Sequence, residues 1–379
     1  MIYLDNNATT QLDPQVGQAM LEVWQSGPLN PSSQHAAGRR ARLWLDDAMG
    51  ELGQRLGTRC DQPGGPRLIL TSGGTEANNL ALRGLGDRRA PLIVSQIEHA
   101  SVREVALAAA AAGRPVHALP VDAKGVVSLE ALETRLAGSP PPTLVSLMAA
   151  NNETGVLQPI AEAASLCHAA DVPLHVDATQ WIGKLPFAFD ETAIDAITFA
   201  PHKFHGPTGI GGLLLAPRVP FQPAWQGGGQ QLGDRPGTEA VALAVGAAAA
   251  LRLADPTAAA PPVARLRDRF ETTLQQALPE VVIHGQAAPR LPGTSCLGFP
   301  GTNRQSMLMT LDFAGIACSS GSACASGSSQ PSYVLQAMGV PDPLVEASLR
   351  FGLSRFSTET EIDQATAVIV KAYKDLRKV

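Results

Sequence analysis

The sequence has 379 residues, 45% of them hydrophobic and 17% charged, with a formal net charge of -5. That length buries a large core and exceeds what one core usually serves, so two domains are expected. The acidic balance argues against nucleic acid as a partner, and no stretch reaches the ~18 consecutive apolar residues of a membrane-crossing helix.

The opening MIYLDNNATT has no basic stretch followed by an apolar run. Five cysteines is an odd count for a disulfide framework. Reduced thiols and a cytoplasmic setting are therefore expected. Arg39, Arg40 and Arg42 form a short basic cluster that reads as a solvated helix face.

From about Arg67 to Ala216, apolar runs alternate with helical patterns. Strands are predicted at Arg67–Thr71, Leu92–Ser95, Leu144–Met148, Leu174–Val176, Ile197–Ala200 and Gly212–Ala216. Helices are predicted between them, among them Thr75–Arg83, Ser101–Ala112, Leu129–Leu136 and Ile160–Ala170. This alternation predicts an α/β fold with a mostly parallel sheet covered on both faces. HGPTGIGG is too short for a crossover helix, so the strands on either side of it are expected to be antiparallel. After Thr238 an alanine-rich helix is predicted over Glu239–Ala254. DPTAAAPPVA then reads as a break, and a helix is predicted around Leu266–Ala277. The expected division is a large domain over residues 13–254 and a smaller α+β domain formed by residues 1–12 and 255–379.

Chemistry-bearing residues cluster at predicted strand ends. TSGGTEANN follows a strand and opens a helix, so Gly74, Thr75 and the leading N–H groups could hold a phosphate. By itself this is an ordinary helix start. HVDATQ puts Asp177 at the carboxyl end of a strand, where open α/β sheets bind ligands. APHKFHGPTG puts Lys203 after another apolar strand. Burying a charged lysine is costly, and Schiff-base formation, which consumes the amine, is one reason to keep it there. SSGSACASGSSQPS, around Cys324, is small, polar and glycine-bearing, the composition of a loop that can carry a nucleophile between two sites. Cys318 closes the apolar run FAGIAC and is expected to be a buried strand cysteine. The spacing of His202 and His205, and of Cys318 and Cys324, matches no common zinc pattern, so no metal is expected.

A phosphate cradle, then an aspartate, then a lysine, all at strand ends, is a far more specific signal than any one of them. With YLDNNATT, NPSSQHAAGR, EHASV, NNETGV, GGGQQLGDRPGTE and PSYVLQAMG, the sequence resembles the class V aminotransferase family of fold-type-I pyridoxal-phosphate enzymes. Within that family it is similar to the cysteine desulfurases of the NifS/IscS group.

The resemblance implies a seven-stranded-type sheet in the large domain and pyridoxal 5'-phosphate as cofactor. It implies that Gly74, Thr75 and His202 contact the cofactor phosphate, with Thr238 reaching it from the partner of a homodimer. It further implies that His99 stacks on the ring and serves in acid/base steps. Asn152 and Gln180 meet the ring-side oxygen, Asp177 pairs with the ring nitrogen, and Lys203 bonds the cofactor. Arg350 would hold the carboxylate of L-cysteine, and Cys324 would accept its sulfur as a persulfide. The acceptor beyond Cys324 would be a protein such as an iron–sulfur scaffold, or a tRNA-modification carrier. Relatives usually carry serine where this chain has Ala200, which removes one phosphate donor. Selenocysteine lysis or transamination on the same scaffold, and a non-catalytic sulfur-handling partner, are the rival readings.

Overall fold

The computed structural model describes residues 1–62, 64–321 and 330–377. The chain opens with strand β1 (Ile2–Tyr3) and helices α1 (Pro14–Gln25) and α2 (Ala36–Arg55). Strands and helices then alternate: β2 (Arg67–Thr71), α3 (Gly74–Gly84), β3 (Leu92–Ser95), α4 (Ala100–Ala111), β4 (Val116–Leu119) and α5 (Leu129–Leu136). The pattern continues through β5 (Leu144–Met148), α6 (Ile160–Ala169), β6 (Leu174–Asp177), β7 (Ala196–Phe199) and β8 (Gly211–Leu215). Helices α7 (Val241–Leu253) and α8 (Pro256–Ala277) follow. Next come β9 (Val282–Ile283), β10 (Thr294–Gly298), α9 (Arg304–Phe313) and β11 (Ile316–Ala317). The chain ends with α10 (Tyr333–Ala337), α11 (Asp342–Val345), β12 (Ser348–Gly352) and α12 (Glu359–Leu376).

The seven-stranded sheet has the order β2-β8-β7-β6-β5-β3-β4. Its neighbours pair in parallel except where β8 meets β7 and β2, which are antiparallel contacts. The short HGPTGIGG connection thus makes the expected turn. Central strands are buried on both faces and therefore read as continuous apolar runs, such as Leu-Val-Ser-Leu-Met in β5. All the parallel strands end on the same edge, so the loops that follow them converge.

Two features differ from the sequence reading. β4 was not predicted: it is an edge strand of four residues, only one of them buried, so its period is hard to see. DPTAAAPPVA is not a break but the start of α8, which carries Pro261 and Pro262 inside it. Pro256 sits at the helix start and Asp255 caps it by accepting from the Ala258 N–H. The two internal prolines face solvent, where water can satisfy the carbonyls they leave free. The actual break is a 70° bend between α7 and α8. Among the described residues no single helix is long and apolar enough to cross a membrane.

A second sheet, β12-β10-β9, packs against α8 and α12. Phe351 of β12 meets Phe270 at 5.3 Å and Phe299 at 6.4 Å, and Phe299 meets Tyr373 at 5.7 Å, all tilted or edge-on. Such pairs contribute about 0.5–1.5 kcal/mol each beyond the area they bury. Side chains alternate along a strand, so anchoring Phe351 in this core turns its neighbour Arg350 the other way. β1 runs parallel to β11, and the following segment, Leu4 to Thr10, crosses to the seven-stranded sheet.

Candidate active site

A cavity of ≈ 280 Å³ opens at the carboxyl edge of the large sheet. Gly74, Thr75, His99, Asn152, Asp177, Gln180, Ala200, His202, Lys203 and Arg350 all line it. Thr238 does not line it and is exposed. Cys324 lies outside the described residues.

The helix start is open. Gly73 precedes α3 and offers no side-chain cap, so the leading N–H groups and the positive end of the helix dipole are left for an anion. Strand β8 approaches closely here. A side-chain carbon on Gly211 would stand 2.4 Å from the Gly73 carbonyl carbon, so only glycine fits. A carbon on Gly74 would lie 3.3 Å from Thr179 Oγ1 and 3.5 Å from Ala200 Cβ. Ala200 therefore puts a methyl group where a serine would offer a hydroxyl.

Asp177 ends β6. Its carboxylate accepts from Asn78 Nδ2 at 2.8 Å and from the Thr179 N–H at 3.0 Å. His99 caps α4: its Nδ1 accepts from the Ser101 N–H at 3.1 Å, which leaves the proton of the neutral ring on Nε2. Burial lowers the His99 pKa, and the charges of Lys203 and Arg350 lower it further while Asp177 opposes them. The neighbouring Glu98 is fully buried. Its Oε1 accepts from Ser95 Oγ at 2.6 Å and from the Met148 N–H at 2.9 Å, tying the ends of β3 and β5 together. Burial, with the Asp177 charge adding to it, pushes Glu98 up to about 8, so it is neutral at pH 7.

Lys203 follows β7 in a single turn of 3-10 helix, Pro201–Lys203. Its Nζ donates to the carbonyls of Asn7 at 2.8 Å and Ala8 at 2.7 Å. Burial and the nearby Arg350 charge push it down to about 8, against the pull of Asp177 and Asp5. His202 Nδ1 meets Thr9 Oγ1 at 3.2 Å, and burial plus Lys203 and Lys184 lower its pKa to about 4. Arg350 is 1% exposed. Its Nη2 pairs with Asp5 at 2.7 Å and its Nη1 donates to the Asn152 carbonyl at 3.1 Å, while its Nε has no partner among the described residues. Among the described residues, three buried polar atoms on cavity residues have no partner: Arg350 Nε, Asn78 Oδ1 and Thr179 Oγ1. A polar ligand is the ordinary partner for such atoms.

The family model for class-V aminotransferases matches residues 2–365. The chain belongs to the class-V aminotransferase family. Within this family of pyridoxal-phosphate enzymes it groups with the cysteine desulfurases. The cysteine desulfurase of Cereibacter sphaeroides is 41% identical, over 99% of this chain and 96% of that protein. A NifS-like protein from Rickettsia africae superposes with a TM-score of 0.89 at 31% identity, covering all of both chains. A structure described as SspA in complex with cysteine matches with a TM-score of 0.81 at 28% identity, over 94% of this chain and all of that one.

Several cavity residues of this family member escaped the sequence reading. Asn7 and Ala8 arrive from the N-terminal segment, beside Asp5, which holds Arg350 from outside the cavity lining. YLDNNATT was visible as a motif, but nothing local shows that its carbonyls meet Lys203. Asn78 lies one turn into α3, in TSGGTEANN, and looked like an ordinary helix residue. Cys318 is half-buried just past the end of β11, rather than a buried strand residue. Burial, with Asp5 adding, still pushes its thiol up to about 12, so it stays protonated.

Proposed function

We propose that the cavity holds pyridoxal phosphate on Lys203 and that the chain converts L-cysteine to L-alanine, leaving the sulfur as a persulfide on Cys324. The observation that carries this is one cavity containing an open helix start, a hydrogen-bonded aspartate and a lysine with a depressed pKa. Gly74, Thr75 and His202 suit the phosphate, Asp177 the ring nitrogen, and Asn152 and Gln180 the ring oxygen. When bound, the cofactor supplies an electron sink for the substrate's bonding electrons.

The protein's own groups do the rest. Arg350, pinned by Asp5, presents its fork to the substrate carboxylate. Lys203, easily deprotonated, takes the proton from the substrate α-carbon. His99, which lines the cavity with a proton on Nε2, would stack on the ring and move protons. The Cys324 thiolate takes the sulfur.

We also propose a homodimer in which Thr238 completes the partner's site. Arg235 of the same segment is tied to Glu76 at 2.9 Å, which anchors the segment while Thr238 stays exposed to a partner. Trp225 and Leu232 nearby are 47% and 90% exposed, an apolar surface suited to a partner. For the onward acceptor we propose a protein thiol, as on an iron–sulfur assembly scaffold, because persulfide sulfur passes by attack of a thiolate. A cytoplasmic setting is supported by Cys60, Cys167, Cys296 and Cys318, which are all free thiols.

Mass spectrometry after exposure to L-cysteine tests the central reading. Sulfur should be added at Cys324; its appearance on Cys318, or on no cysteine, would overturn the assignment.

A further inference from the structure

A second, smaller chamber of ≈ 60 Å³ lies behind the cavity, and Asn7 and Lys203 line both. Lys184 lines the rear chamber. Its Nζ donates to Gln180 Oε1 at 2.6 Å, and Gln180 Nε2 donates to the Asn7 carbonyl at 3.1 Å. That same carbonyl accepts from Lys203 Nζ at 2.8 Å. One continuous chain of hydrogen bonds thus joins Lys184 to Lys203 through Gln180.

The two ends of a carboxamide are nearly equal in size, so its partners decide which way it points. An ammonium group only donates, and Lys184 therefore claims the oxygen. The amide nitrogen is turned to the other side. There one hydrogen goes to Asn7 and the second is left for the front cavity, which Gln180 lines. Without Lys184 the amide oxygen loses its partner, and only the Asn7 carbonyl is left to hold the amide in place.

We propose that Lys184 is a positioning residue that holds the Gln180 amide with an N–H toward the cavity, so that the site offers a donor to an anionic oxygen on the cofactor ring. This rests on the pyridoxal-phosphate reading above. Lys203, Arg350, His202, His205 and Arg355 are the cationic or titratable groups around Lys184. Burial, then repulsion from Lys203 and Arg350, brings Lys184 down to about 7. Whenever Lys203 is uncharged one of these repulsions is gone, and Lys184 holds its proton more firmly.

The test is the pH titration of visible absorbance in the cofactor-loaded protein, with cofactor affinity measured alongside. Lys184→Met should raise the titration midpoint by about one pH unit, because the ring oxygen loses both a donor and a nearby positive charge. It should also weaken cofactor binding about tenfold, the loss of one charge-assisted hydrogen bond. Lys184→Arg keeps a cationic donor and should titrate like the wild type. Lys184→Gln serves if the methionine variant does not fold, and the same upward shift is expected. If the neutral variants stay yellow and titrate with the wild-type midpoint, the positioning role is wrong. If the wild-type protein takes up no pyridoxal phosphate, the cofactor reading itself fails, and this role with it.

Discussion

Replacing Lys203 with methionine tests the electrostatics of the site without any cofactor. The folded protein lowers this lysine from 10.5 to about 8. Between those values the unfolded chain binds more protons than the folded one, so stability rises with pH through that window. The unfavourable contribution of Lys203 is roughly 3 kcal/mol at pH 7 and falls to roughly 1.4 kcal/mol at pH 9.5. Methionine has similar bulk and no charge. The bonds lost to the Asn7 and Ala8 carbonyls act at both pH values and cancel in the comparison. Lys184, relieved of the Lys203 charge, shifts the balance in the same direction. The stability of the variant relative to wild type should therefore drop by about 2 kcal/mol between pH 7 and pH 9.5. Urea unfolding of both cofactor-free proteins at the two pH values measures this. A relative stability that stays constant to within about 0.5 kcal/mol would refute the depressed pKa and the burial argument behind it.

Arg350→Gln removes a charged, two-pronged partner for the substrate carboxylate and should raise KM for L-cysteine about 100-fold; an unchanged KM would mean that the carboxylate binds elsewhere. Asn78→Asp places a second carboxylate at hydrogen-bond distance from Asp177, in place of the 2.8 Å contact. The like charges should raise one carboxyl's pKa and cut cofactor affinity about tenfold, read by spectral titration. Cys324→Ala should keep the cofactor and its absorbance while alanine release and persulfide formation collapse. Cys318→Ala should show only a modest packing loss, and the reverse pattern would mean that the nucleophile is the other cysteine.

Much of the sheet was legible because β-strand burial is a local pattern. Arg67–Thr71, Leu92–Ser95 and Leu144–Met148 stand where the apolar runs predicted them. The strand-end rule then pointed to Gly74, Asp177 and Lys203, which do line one cavity. Proline misled the reading of DPTAAAPPVA. Propensity there is overridden by an Asp255 cap, a proline already allowed at the helix start, and an exposed face on which free carbonyls stay hydrated. The edge strand β4 was missed because half-exposed edges carry little periodic signal.

The sequence by itself determined which groups stand at the strand ends, since chain direction and side-chain alternation follow from local backbone geometry. Tertiary structure alone decided what surrounds them. Asp5 reaches Arg350 across 345 residues, and the Asn7 carbonyl meets Lys203 across 196. No local pattern encodes such a contact. Nor does any local pattern encode a depressed lysine pKa or a neutral Glu98, because both arise from the removal of water by segments distant in the chain.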